Sequence, residues 1–151
     1  MKYWLMKSEP DVYPWSKLVA DGRGTWDGVR NHTAKLNLMA MKVGDRAFFY
    51  HSSCDPPAVV GVVEIVREAY PDSSAWNPDD DHFDPKASPE NPVWSMVDVK
   101  LVEVFPRPVP LGELRSVKAL ADLELLRRGS RLSVHPVTAA EFRTIQQLGC
   151  G

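Results

Sequence analysis

Apolar positions along the chain change period several times, and each change predicts an element. Residues 3–7, Tyr-Trp-Leu-Met-Lys, form a short aromatic and aliphatic run that stops before Pro10 and reads as a strand. Trp15, Leu18 and Val19 then recur at i, i+3 and i+4, the spacing of a short amphipathic helix that ends before Gly22 and Gly24. Over residues 31–42, Ala34, Leu38 and Met41 keep helical spacing, with Lys35 and Lys42 on another stripe and Gly44 closing the pattern. A helix of this kind packs one side and is basic on another.

The middle of the chain turns to strands. Residues 46–52, 58–66 and 93–104 are rich in Val, Phe, Tyr and Ile, and Val97, Val99 and Leu101 alternate with Asp98 and Lys100. The second of these strands is apolar at successive positions and carries Gly61, which suits a strand buried on both faces and bent at the glycine. Residues 71–92 are polar and broken by prolines, so they predict a long excursion between strands. A last short strand is expected over 132–137. The helix after it starts with a capping box of Thr138 and Glu141 and a staple of Val137 and Phe142, and its buried stripe is Phe142, Ile145 and Leu148.

These elements predict one α+β domain of 151 residues built on a strongly curved mixed or antiparallel barrel of five to six strands, flanked by helices. A composition of 44% hydrophobic and 25% charged residues is that of a globular protein. The apolar stretch 58–63 is far short of the roughly 20 residues of a membrane span, and no signal-peptide pattern opens the chain. A cytoplasmic protein is expected, or a nuclear one in a eukaryote, with no membrane partner and a monomer as the working state. Cys54 and Cys150 have neither CxxC nor Cys/His ligand spacing, so no disulfide framework or zinc site is indicated.

Charge narrows the function. A net charge of −2 and a pI near 6.1 exclude a protein that coats DNA by charge alone. The charges are nevertheless segregated. Asp79, Asp80, Asp81 and Asp84 share one loop, while Arg127, Arg128 and Arg131 cluster near the C-terminus and Arg23, Arg30, Lys35 and Lys42 nearer the N-terminus.

Candidate chemistry collects in four segments. Trp26-Asp27-Gly28-Val29-Arg30-Asn31 lies just before a helix, where a glycine and free amides suit a hydrogen-bonding ligand; it reads equally well as a core tryptophan followed by a helix cap at Asn31. Lys7-Ser8-Glu9, Tyr50-His51-Ser52 and Ser130-Arg131-Leu132-Ser133 each sit at a predicted strand end, and strand ends in a barrel converge on one mouth. Aromatic rings stack on a base, Asn and Ser read its edge, and Arg or Lys hold a phosphate. Taken one at a time, each segment is equally a surface pair, a satisfied histidine or an ordinary turn.

Enzyme signals are sparse. His51 and Ser52 are adjacent on a strand and point to opposite faces, and no G-x-S-x-G, Walker A or G-x-G-x-x-G sequence occurs. Residues 79–84 lack the position-six Gly and position-twelve Glu of an EF-hand. Neither a catalytic residue, a metal ligand nor a cofactor is therefore assigned. The rivals to base binding are an enzyme using Glu9 or His51 as base in the same pocket, and a module that recognises a peptide or metabolite.

The same segments carry a family resemblance. Residues 3–10, 26–31, Phe49-Tyr50-His51-Ser52 and 130–133 resemble the EVE domain, and the likeness extends through Gly61-Val62, 66–72, Phe83-Asp84-Pro85-Lys86, Trp94 and Pro106-Arg107-Pro108-Val109. The resemblance implies a PUA-like fold, relatives among YTH domains, and recognition of a modified base in DNA or RNA. Trp15, Trp26, Tyr50 and Trp76 are then the aromatics available for a pocket wall, with Trp26 first and Trp76 equally a core or lid residue. Asn31 and Ser8 would bond the base edge, and Arg30, His51 and Arg131 would contact base, sugar or phosphate. Lys7, Glu9, Val29, Ser52, Ser130 and Ser133 complete the expected site, while Trp4, Trp94 and Phe49 are expected in the core.

Overall fold

The computed structural model describes residues 1–8, 14–52, 56–128 and 132–150. Its strands are β1 (Tyr3–Ser8), β2 (Arg23–Trp26), β3 (Arg46–His51), β4 (Ala58–Pro71), β5 (Ser95–Pro110) and β6 (Val134–Val137). Its α-helices are α1 (Trp15–Asp21), α2 (His32–Ala40), α3 (Leu111–Ser116) and α4 (Ala139–Cys150).

The strands form one sheet in the order β2-β5-β4-β3-β1-β6. All pairs are antiparallel except β1 with β3, which run parallel. Both faces are buried, because alternate residues of each central strand enter different cores. Trp4 and Met6 of β1, Phe49 of β3 and Val63 and Ile65 of β4 join the first core with Leu38 of α2. Leu5, Phe48 and Val62 join the second, with Leu114 of α3 and Phe142 and Ile145 of α4.

Curvature has a local cause. Between Val59 and Gly61 the register of β4 slips against both β3 and β5, and the bulge bends the strand. Gly61 is required there, since a Cβ would collide with the Glu103 carbonyl oxygen and the Trp15 ring. Helix α2 packs on β5 near one end of the strand order and on β6 at the other, which only a strongly curved sheet allows. No strand pairing joins β2 to β6 among the described residues, so the barrel-like sheet stays open.

Several elements exceed or escape the sequence pattern. β4 and β5 run on to Pro71 and Pro110, longer than their apolar cores. The excursion between them contains a turn of 3₁₀ helix at Ser73–Trp76 and a small core of Ala75, Ala87 and Trp94. The capping box of α4 is formed: Thr138 N–H donates to Glu141 Oε1 at 2.9 Å, and Glu141 N–H to Thr138 Oγ1 at 3.1 Å. Among the described residues no helix is long and apolar enough to cross a membrane.

Candidate nucleic-acid interface

Because β1 and β3 are parallel, their C-terminal ends arrive together, with Lys7 opposite Tyr50 and Ser8 opposite His51. The Ser52 N–H donates to the Ser8 carbonyl at 2.9 Å, and the Lys7 N–H to the Ser133 carbonyl at 2.8 Å. Three of the expected segments thus share one end of the sheet. Glu9, Ser130 and Arg131 lie outside the described residues.

On the face that holds the first core, this sheet end opens into a cavity of about 520 Å³. Lys7, Ser8 and Ser133 form one wall, and β2 with the Asp27-Gly28-Val29-Arg30 loop forms the opposite one. Lys17 and Asp21 of α1 and His82 of the excursion complete the rim. Trp26 lines the cavity yet is only 4% exposed, and its ring meets Phe49 edge-on at 5.2 Å and 81°. The tryptophan is therefore both core and wall.

The loop after Trp26 is held from the excursion. Gly28 adopts φ 77, and its N–H donates to Asp72 Oδ2 at 2.9 Å. A Cβ on Gly28 would lie 2.7 Å from the His82 ring, so only glycine lets the imidazole close this side of the rim. Arg30 clamps the same contact: Nε donates to the His82 carbonyl at 2.8 Å, one terminal nitrogen to Asp72 Oδ2 at 3.1 Å, and the other to Ser74 Oγ at 3.2 Å. Asp72 is wholly buried. Burial alone would raise its carboxyl, but bonds from Ser74, the Gly28 amide and Arg30 together hold it below the ordinary value. Asp27 moves the other way, raised by desolvation at the cavity and then by the charge of Asp72, against the opposing pull of His82.

The remaining expected residues divide. Val29 and Arg30 line the cavity. The Asn31 side chain caps α2, accepting from the Ala34 N–H at 2.9 Å, and does not reach the cavity. His51 accepts the Trp15 N–H on Nε2 at 3.0 Å while Nδ1 faces the Ser8 carbonyl at 3.4 Å, so it ties the start of α1 to the end of β1. Burial pushes its pKa down, and the bond to Ser8 opposes that. The Trp15 ring packs on Phe49 at 4.8 Å. Tyr50 and Ser52 line a second hollow, reached through Lys7, and Trp76 lines neither. Trp4, Phe49 and Trp94 are core, as expected.

Sequence reasoning assigned no role to Asp27, His82, Lys17, Asp21 or Arg23. Asp27 was legible in principle, being next to Trp26 in a motif. His82 was not, because its place depends on how the excursion folds back through Arg30. No group of three or more His, Cys, Asp or Glu side chains that could hold a metal occurs among the described residues.

The family model of the EVE domain matches residues 2–148. The chain belongs to the EVE domain family. Human thymocyte nuclear protein 1 is 42% identical over an alignment covering 97% of this chain and 73% of that protein. A crystal structure from Pseudomonas syringae matches with TM-score 0.94 at 46% identity, covering 97% of this chain and 98% of that one. The human THYN1 protein, crystallised in complex with DNA containing 5-methylcytosine, matches with TM-score 0.93 at 39% identity, covering 99% and 98%. The EVE fold is therefore kept along nearly the whole chain.

Proposed function

We propose that this EVE domain is a non-catalytic reader of a modified base in DNA, with 5-methylcytosine the first candidate. The observation that carries the reading is the near-superposable human protein solved with 5-methylcytosine-containing DNA, together with a base-sized cavity walled by Trp26 in this chain. A volume of about 520 Å³ accommodates one pyrimidine and its sugar, and pockets for small ligands run from roughly 300 to 1,000 Å³.

The chemistry suits a base taken out of its stack. Unstacking costs a few kcal/mol, and the part of Trp26 that lines the cavity and the side chains of Ser8 and Ser133 supply replacement contacts. Val29 offers an apolar surface to a methyl group. Asp27 is the carboxylate on the cavity suited to accept the exocyclic amine of cytosine, which thymine lacks.

The test is a binding panel at fixed salt, with cytosine, 5-methylcytosine and thymine at one position of otherwise identical DNA and RNA strands. Burying one methyl group contributes about 0.8 kcal/mol, so 5-methylcytosine should bind roughly fourfold more tightly than cytosine. Asp27→Ala should remove about 1–3 kcal/mol of the discrimination against thymine. Equal affinity for all three bases would refute the reading, and a preference confined to the RNA arm would move it to RNA.

A further inference from the structure

On the other face of the sheet, over the second core, a hollow of about 420 Å³ opens beside the base cavity. Lys7, Arg115, Arg127 and Arg128 supply four cations to its wall, with Tyr50 and Ser52 beside them. They come from separate elements: Lys7 from the end of β1, Arg115 from α3, and Arg127 and Arg128 from just beyond the Glu124–Leu126 turn. In a chain of net charge −2 such a concentration is local, not a property of the composition.

The cations are little spent on the protein itself. Arg127 pairs with Glu124 at 3.1 Å. Arg115 makes one long bond to the Leu126 carbonyl at 3.4 Å. Arg128 has no hydrogen bond or ion pair among the described residues. All three arginines are exposed. Alternation along β1 turns Ser8 to the base cavity and Lys7 to the opposite face, and at the end of the strand Lys7 borders both hollows.

Resting on the base-binding reading above, we infer that this groove is a phosphate track. It holds the backbone of the strand whose base enters the cavity, with Arg115 and Arg128 contacting phosphates and Lys7 at the junction. The continuity through Lys7 favours a polynucleotide, since a base in one hollow places its own backbone at the entrance to the next. Arginine forks suit phosphate oxygens, and Tyr50 and Ser52 bring hydroxyl-bearing side chains to the same wall.

The test uses the full chain, the double variant Arg115→Gln/Arg128→Gln and the single reversal Arg128→Glu. Each is titrated with a short DNA strand carrying one 5-methylcytosine between about 50 and 200 mM salt, and with free 5-methyl-2′-deoxycytidine. Unchanged circular dichroism and Tm establish folding, which exposed arginines allow. The double variant should lose about tenfold in affinity for the strand at low salt, and its log K against log salt slope should shrink by about 1.4, the value for two phosphates of a single strand. Affinity for the nucleoside should not change. An unchanged slope would overturn the phosphate track. So would equal competition by an oligoglutamate peptide, which would make the groove a site for acidic polypeptide. If the wild type shows no preference for the methylated base while the arginine-dependent slope persists, the base reading fails and the track stands.

Discussion

Gly28 and Asp72 show how single residues set the cavity. Gly28→Ala puts a Cβ in the left-handed region and against the His82 ring, so it should destabilise the fold by about 1–2 kcal/mol and displace His82 from the rim. Chemical denaturation measures the first effect, and the His82 imidazole resonances the second. Asp72 carries a pH dependence. A carboxyl whose native pKa lies below its unfolded value stabilises the fold above about pH 4, and that contribution is lost as pH falls through the native value. Half-buried His51 and buried His135, both held below their ordinary value, add an earlier loss that begins as pH falls below about 6.5. Asp72→Asn should cost about 1.5–3 kcal/mol at neutral pH and flatten the acid limb below pH 4, as read from Tm against pH. Residue roles were only partly legible beforehand. Trp26 could be read as core or as wall, and it is both. Asn31 could be read as base-reader or as cap, and its amide oxygen is committed to the Ala34 N–H.

Elements divide according to whether their signal is local. The start of helix α4 was legible because its capping box is written in four consecutive positions. Thr138→Ala should cost about 1 kcal/mol, measured by denaturation, with little effect on ligand binding. Strand β2 left no comparable trace. Arg23-Gly24-Thr25-Trp26 is short and contains glycine, and it becomes a strand only by pairing with Lys100, Val99, Asp98 and Val97 of β5. Its pairing is nonetheless what brings Trp26 to the cavity. The tails of β4 and β5 were hidden for a related reason: Arg67, Glu68 and Pro71 of β4 are exposed, and in β5 the buried Phe105 and Val109 are interrupted by Pro106 and Pro108. Gly61 was recognised as a bend, and the structure supplies the cause in the approach of Glu103 and Trp15. Gly61→Ala should destabilise by about 1–3 kcal/mol through overpacking, again by denaturation, and loosen α1 from the sheet.

At the scale of the whole molecule, a curved sheet buried on both faces ends in two hollows, one on each side of the β1 and β3 termini. Sequence patterning made the α+β fold class and the meeting of strand ends legible. It could not show that alternation along β1 and β3 would split the expected site, sending Ser8 to one hollow and Tyr50 and Ser52 to the other. Nor could it show the excursion returning through Arg30 and Asp72 to put His82 on the rim. That the base enters on the Trp26 side is the central claim, and a titration of the labelled protein with 5-methyl-2′-deoxycytidine, followed by NMR, tests it most directly. The account predicts saturating shifts at the Trp26 indole N–H and at the amides of Ser8, Gly28 and Ser133, with α4 unmoved. Shifts confined to other surfaces, or none at saturating nucleoside, would contradict it.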